Sequence, residues 1–184
     1  MIPADAKPAK NVASVGESNG KVILQTFEKS SLEMLQKEMP QVPKILLLWV
    51  GEGSIEPKSK VTFADSGEKD KNAFYGKQEP KSEAEFKQWI DYAKAQGAIG
   101  TGPSAKLTQG GDQSYSDLVQ PWMNKYTHDQ GLLVHVYTVD EPVDFEKVMA
   151  AGVDGIFTNR ASELLKFYKR PAASVDQVLK NNGF

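Results

Sequence analysis

The chain has 184 residues, 22 of them basic and 24 acidic, a formal net charge of -2, and no cysteine. That length fills one core and little more. The charge balance leaves no footprint for nucleic acid or an anionic membrane surface, and the lack of cysteine excludes disulfides and thiolate metal sites. No apolar run approaches the roughly 20 residues of a membrane span. Residues 1–20, rich in Ala, Pro, Gly, Ser and Lys, hold no apolar leader core and read as a flexible lead without a signal peptide.

The first expected strand is 21–26, with Gln25 and Phe27 at its C-terminal end. Ser30 or Ser31 is placed to cap a helix over 32–37, which Pro40 and Pro43 close off. ILLLWV at 45–50, bounded by proline and glycine and ending at Trp49 and Val50, suits a strand buried on both faces. Residues 51–80 are polar, lack a clean period and are too long for an ordinary βα connection. They read as an insert at the C-terminal side of the strands, partly ordered by Val61, Phe63, Phe74 and Tyr75. Either it is a surface loop without a role or it is a lid.

Ser82, with Glu85 three residues on, forms a capping box that opens a helix with Phe86, Trp89, Ile90 and Ala93 on one face; Gly97 ends it. A very short strand over 98–100 runs into a glycine-proline turn. One long helix is expected over 114–130, kinked at Pro121, with Leu118, Val119, Trp122, Met123 and Tyr126 inward. Then comes the densest stretch. Residues 132–138 are apolar and branched, as in a buried parallel strand. Asp140-Glu141-Pro142 supplies a cap and an early-helix proline, and Gly152 is placed to end that helix in the left-handed conformation. A second short strand over 154–157 and a helix over 161–167 follow, and a short helix over 174–179 lies in the tail. Two βα units joined this tightly argue for a parallel sheet, open or closed into a barrel.

Two motifs in this stretch carry a resemblance: His135-Val136-Tyr137-Thr138-Val139, and Gly152-Val153-Asp154-Gly155-Ile156-Phe157-Thr158-Asn159. Together they resemble the end of the glycerophosphodiester phosphodiesterase family, whose enzymes are (β/α)8 barrels with such motifs on their last two strands. Residues 22–35 and 40–48 are similar to its middle strand ending in Gln-Ser-Phe, with Thr26 where serine is usual; the hydroxyl is kept. Laid on the family, the five strands correspond to strands four to eight, and the resemblance covers residues 15–168 with gaps at the insert. A whole barrel takes roughly 250 residues. The resemblance therefore implies an α/β chain holding a partial (β/α)8 TIM-type barrel over 21–168, with the insert at 51–80 and a tail at 169–184. The tyrosine variant at 137 looks most like the secreted or periplasmic branch, which suggests an extracellular or periplasmic site of action.

Hydrolysis of a phosphodiester calls for a metal on the phosphoryl oxygens, a base or nucleophile, and an acid for the leaving alkoxide. The family places these on its first three strands, as His-Arg-Gly, Glu-x-Asp, His-Asp and Glu-x-Lys. None stands at a strand end here. The histidines are His128, near a helix end before Gly131, and His135. The resemblance implies hydrolysis of glycerophosphodiesters, such as glycerophosphocholine, to sn-glycerol 3-phosphate and an alcohol, with a divalent Ca2+ or Mg2+ whose ligands are not in this chain. No catalytic residue is assigned. Three readings stay open. The chain is a truncated copy, one piece of a split barrel completed by a complementary chain or by self-association, or a non-catalytic binding or assembly module. Truncation fits best, because Met1 leads into a linker-like stretch, and the chain alone is expected to be inactive.

By the resemblance, Tyr137 corresponds to the aromatic residue that lines the substrate pocket; an ordinary core tyrosine is the alternative. His135 shares a face with it and reads as a barrel-interior histidine. Phe27 and Trp49, at strand ends, form an apolar wall or plain core. Thr158, Asn159 and Arg160 follow the last strand, where barrel sites gather ligands. Arg160 attracts phosphate there or is simply a solvated residue at a helix start. Gly100-Thr101-Gly102 offers backbone N–H groups to phosphate or serves only a turn.

Overall fold

The computed structural model describes residues 22–51, 54, 55, 57–171 and 174–181; the expected flexible lead lies outside them. Five strands, β1 (Leu24–Thr26), β2 (Lys44–Leu48), β3 (Gly100–Pro103), β4 (Leu133–Val136) and β5 (Gly155–Ile156), form one sheet. They lie side by side in chain order and every pairing is parallel. Helices α1 (Lys29–Glu38), α3 (Glu83–Ala95), α4 (Pro121–Asp129) and α5 (Pro142–Ala150) carry the chain back between strands, and α6 (Ala161–Phe167) and α7 (Val175–Asn181) follow. A short helix α2 (Lys71–Gly76) lies within the insert. Consecutive parallel strands with helical crossovers are the repeating unit of a (β/α)8 barrel, and the described residues build five such strands.

Alternation along the strands divides the core in two. On the outer face Leu46, Leu48 and Val50 meet Leu32, Phe86, Trp89, Ile90 and Met123 from the helices. Val136 and Val139 meet Phe145 and Val148 of α5. Burying side chains of this size stabilises the fold by about 1.5–3 kcal/mol each. The apolar face of α3 is the one its period indicates, and Ser82 caps it by accepting from the Glu85 N–H at 3.3 Å. The reciprocal half of the box is absent: the Glu85 carboxylate instead takes the Lys81 N–H and the Lys58 ammonium, each at 2.8 Å. Gly97 and Gly152 end their helices at φ of +67° and +88°, where a side chain would be strained.

Several elements depart from the sequence reading. Ser30 and Ser31 lie inside α1, not at its cap; the Thr26 hydroxyl accepts the Glu28 N–H at 3.0 Å and turns the chain into the helix. The long helix expected over 114–130 is instead a 3-10 turn (Asp112–Tyr115), an extended segment through Gln120, and then α4. Pro121 starts α4 because the residue before a proline is held out of the helical region and proline needs no N–H at the first position. Asp140 does not cap α5; its carboxylate takes Thr158 and Asn159 instead. The Gly100-Thr101-Gly102 stretch is neither turn nor phosphate loop but the body of β3.

The register explains those glycines. Residues paired across a parallel ladder share a face, so Gln25, Ile45, Gly100 and Leu133 form one inner row. Extending each register by two gives Phe27, Leu47, Gly102, His135 and Gly155, and by four gives Trp49, Ser104, Tyr137 and Phe157. Rows of inward side chains at successive heights are how a barrel interior is filled. A Cβ on Gly100 would stand 2.6 Å from the Leu133 carbonyl oxygen, and one on Gly102 2.4 Å from Leu47 Cδ2. Both inner positions of β3 are thus filled by its neighbours. Ile23, Leu133 and Phe157, on this inner face, are 41%, 39% and 39% exposed, so among the described residues the interior is uncovered on both flanks.

Candidate functional site

The upper row lies at the C-terminal ends of the strands, where barrel enzymes bind substrate. A cleft of about 360 Å³ opens below and beside that row, lined by Gln25 of β1, Phe27 just after it, Leu47, Gln113, Tyr137, Thr138 and Phe157. A polar cleft of about 490 Å³ adjoins it through Gln113, Tyr137 and Thr138 and extends to Gly110, Gly111, Asp140 and Asn159. Tyr137 stands between the two. Its ring meets Phe27 edge-on with centroids 5.6 Å apart, and its hydroxyl donates to the Leu48 carbonyl at 3.1 Å, two strands away. Burial holds the phenol's ionisation far above its ordinary value, so it works as a neutral donor. Ser104 Oγ is buried in the same row, next to the Tyr137 hydroxyl.

His135, one row lower, packs against Phe157 at 6.3 Å between centroids and presses on Gly155, where a Cβ would stand 2.9 Å from the ring. Burial lowers its pKa below the ordinary value, partly offset by the Asp154 charge. His128 instead lies outside the cleft, 2.7 Å from Asp154 Oδ2, which also takes the Val134 N–H at 2.8 Å. Asp140 is pushed up by burial, but hydrogen bonds from Asn159 and Thr158 outweigh this and leave its pKa below the usual range. It accepts Thr158 Oγ1 at 3.0 Å, the Asn159 N–H at 2.7 Å and Asn159 Nδ2 at 3.0 Å, which folds the exit of β5 over the polar cleft.

Of the residues singled out from sequence, Phe27 and Tyr137 meet in the cleft. Trp49 shares the row of Tyr137 but lines a separate cleft formed with the insert. Arg160 is half exposed at the start of α6, its guanidinium 3.0 Å from Glu141, and lines neither cleft. Gln25, Gln113, Asp140 and Phe157 were not singled out. Gln25 and Phe157 carried a signal, alternation with Phe27 and with Gly155; Gln113 sits in a loop without one.

The model of the glycerophosphoryl diester phosphodiesterase family matches residues 5–163. The chain belongs to that family. It is 25% identical over 140 residues to a glycerophosphodiester phosphodiesterase of Bacillus subtilis (strain 168), a match that covers 76% of this chain and 34% of the relative. Its fold is similar to that of a crystal structure from Silicibacter pomeroyi DSS-3 assigned to the glycerophosphoryl diester phosphodiesterases, with a TM-score of 0.50 and 20% identity. That likeness covers 79% of this chain and 36% of the other. The chain thus spans about a third of the length of these relatives.

Members of the family use a divalent metal. Among the described residues no group of three or more His, Cys, Asp or Glu side chains could hold one. Asp140, the carboxylate in the polar cleft, is already taken by three donors. The single Glu-x-Asp triplet of the chain, Glu68-Lys69-Asp70, lies in the insert. Glu68 binds Lys77 at 3.1 Å there, and Asp70 caps α2 by accepting the Asn72 N–H at 2.8 Å. The described residues do not fit a metal. No described helix is long and apolar enough to cross a membrane.

Proposed function

We propose that this chain forms the substrate side of a glycerophosphodiester phosphodiesterase, which hydrolyses glycerophosphodiesters to sn-glycerol 3-phosphate and an alcohol. The observation that carries this is the cleft itself: a family barrel segment gathers Gln25, Phe27, Tyr137 and Phe157 at the strand ends, with a polar cleft beside them. In this reading Phe27 and Tyr137 wall the glycerol side, and Trp49 stands on the alcohol side. Arg160 reaches phosphate only by leaving Glu141. The Ca2+ or Mg2+ and the acid–base groups come from three further βα units, supplied in one polypeptide or by a complementary chain docked on the uncovered inner face. The chain alone is inactive. The tyrosine at 137 in the motif His-Val-Tyr-Thr-Val favours the secreted or periplasmic branch.

Native mass measurement on the protein purified from its source tests this. The expected result is a species heavier than 20.2 kDa whose added segment carries His-Arg-Gly and Glu-x-Asp. A stable 20.2 kDa monomer without that segment would favour the non-catalytic binding module.

A further inference from the structure

The insert meets the site through one short turn. The 3-10 turn between β3 and α4 puts Gln113 where the clefts of about 360 and 490 Å³ join, and Ser114 on the wall of the second. The loop around it closes on itself. The Ser114 N–H donates to the Gly111 carbonyl at 2.9 Å, and a Cβ on Gly110 would stand 2.4 Å from Ser114 Oγ. This loop is moored on both sides. Before the turn, Thr108 gives its N–H and its hydroxyl to the Asp144 carboxylate of α5, each at 3.0 Å. After it, the moorings are on the insert. Tyr115 stacks on Tyr75 of α2 with centroids 5.8 Å apart and planes 14° from parallel, and Tyr75 stacks in turn on Phe63 at 6.5 Å and 21°. The Lys71 ammonium lies 5.1 Å from the Tyr115 ring centre. The buried Glu79 carboxylate takes the Asp117 N–H at 2.7 Å and the Lys81 ammonium at 2.8 Å.

Tyr75 is engaged by Phe63 and by Tyr115, so its ring serves packing. What that packing holds is the turn, and Gln113 lies two residues before Tyr115 in it. An aromatic pair of this geometry shifts a local opening equilibrium about two- to tenfold beyond the area it buries. Gln113, Tyr137 and Thr138 line both clefts, and the Tyr137 hydroxyl is already committed to the Leu48 carbonyl. A primary amide carries donors and an acceptor together, which is what a hydroxyl needs from a partner.

We propose that the insert is a buttress: the Tyr75–Tyr115 stack positions the loop that carries Gln113, and the Gln113 amide bonds the hydroxyls at the glycerol end of the diester. Gln113 sets the preference for a hydroxylated alcohol phosphate, and Tyr75 and Tyr115 act through it. The contact with glycerol rests on the phosphodiesterase reading; the hold on the loop does not.

The test uses the full chain. Hydrogen exchange at the Ser114 N–H is followed by NMR in the unaltered chain, Tyr75→Leu and Tyr75→Phe, with the Thr108 N–H as the reference on the other mooring. The expected result for Tyr75→Leu is exchange about threefold or more faster at Ser114 and within about twofold at Thr108. Tyr75→Phe keeps the ring and should leave both unchanged. Tyr115→Leu removes the same stack from the loop side and gives the answer where Tyr75→Leu unfolds. Unchanged exchange at Ser114 in the leucine variants overturns the proposal. sn-Glycerol 3-phosphate and propyl phosphate, which lacks the hydroxyls, are then titrated. Gln113→Ala should weaken the first about threefold or more and the second by less than about twofold. Tyr75→Leu should do the same, with no further loss in the double variant. Binding of sn-glycerol 3-phosphate that both substitutions leave unchanged, or an equal loss for propyl phosphate, overturns the role of Gln113 and keeps the phosphodiesterase reading. Faster exchange at Ser114 with no binding of sn-glycerol 3-phosphate to the unaltered chain keeps the buttress and counts against that reading.

Discussion

Gly100→Ala and Gly102→Ala place the same methyl group on the same face of β3, yet the structure separates them sharply. At position 100 the new Cβ meets backbone, the Leu133 carbonyl oxygen at 2.6 Å, in the ladder that pairs β3 with β4. The two strands must splay, and overpacking of this kind costs about 1–3 kcal/mol. At position 102 the closest atom is Leu47 Cδ2 at 2.4 Å, the far end of a flexible side chain, with the His135 carbonyl next at 3.2 Å. Leu47 can turn aside. Neither glycine has a positive φ, so alanine also narrows the unfolded ensemble in both variants, a gain of about 0.4–1 kcal/mol. The expected net loss is about 1–2.5 kcal/mol for Gly100→Ala and under about 1 kcal/mol for Gly102→Ala. In a protein of this size that means Tm drops of about 2–10 °C and about 4 °C or less. Denaturant titration gives the free energies. A cycle with Leu47→Val should show favourable coupling of about 0.5–1 kcal/mol with position 102 and none with position 100. The reverse order of stabilities, or coupling at 100 alone, would refute the register and the inner rows built on it.

Three further outcomes follow from the same rows. Tyr137→Phe keeps the ring against Phe27 and loses only the bond to the Leu48 carbonyl, so it should lower stability by about 1 kcal/mol in denaturant titration. An unchanged value would mean that the bond does not form. His135 is held below its ordinary pKa of 6.5 by burial, so the unfolded chain takes the proton first. Its part of the stability is complete above pH 6.5 and fades as pH falls from there toward the folded value; His135→Phe should flatten that limb of the stability–pH curve. The buried Asp144 carboxylate accepts the Thr108 N–H at 3.0 Å and its hydroxyl at 3.0 Å. Asp144→Ala should cost about 1–3 kcal/mol and open residues 105–111 to limited proteolysis, whereas cleavage at an unchanged rate would show that the loop is held by other contacts.

The parallel order of the sheet was legible in its last part, where the apolar runs of β4 and β5 are each followed at once by helical spacing, and in β2, an apolar run bounded by Pro43 and Gly51. β3 was placed two to three residues early because glycine erases the alternation that marks a strand, and the reason for its glycines lies on β2 and β4. Leu118 and Val119 fall at helical spacing from Trp122 and Met123, so an extended segment mimicked the first turns of a helix; the local rule at Pro121 was the better guide. The pairing of Phe27 with Tyr137 was not legible, since they lie on strands far apart in sequence and meet through register. The insert gave four aromatic or branched residues as its order. Three of them form the ring cluster, while Val61 is exposed, and nothing in a loop's sequence tells which of its apolar residues will meet.

The central claim is that this chain carries the pocket of a phosphodiesterase barrel without the groups that hold its metal. Release of sn-glycerol 3-phosphate from glycerophosphocholine, with Ca2+ or Mg2+ present, measures it directly. The account predicts none from the purified chain, and turnover once a segment bearing His-Arg-Gly and Glu-x-Asp is bound to it. Metal-dependent turnover by the 184-residue chain alone would contradict it.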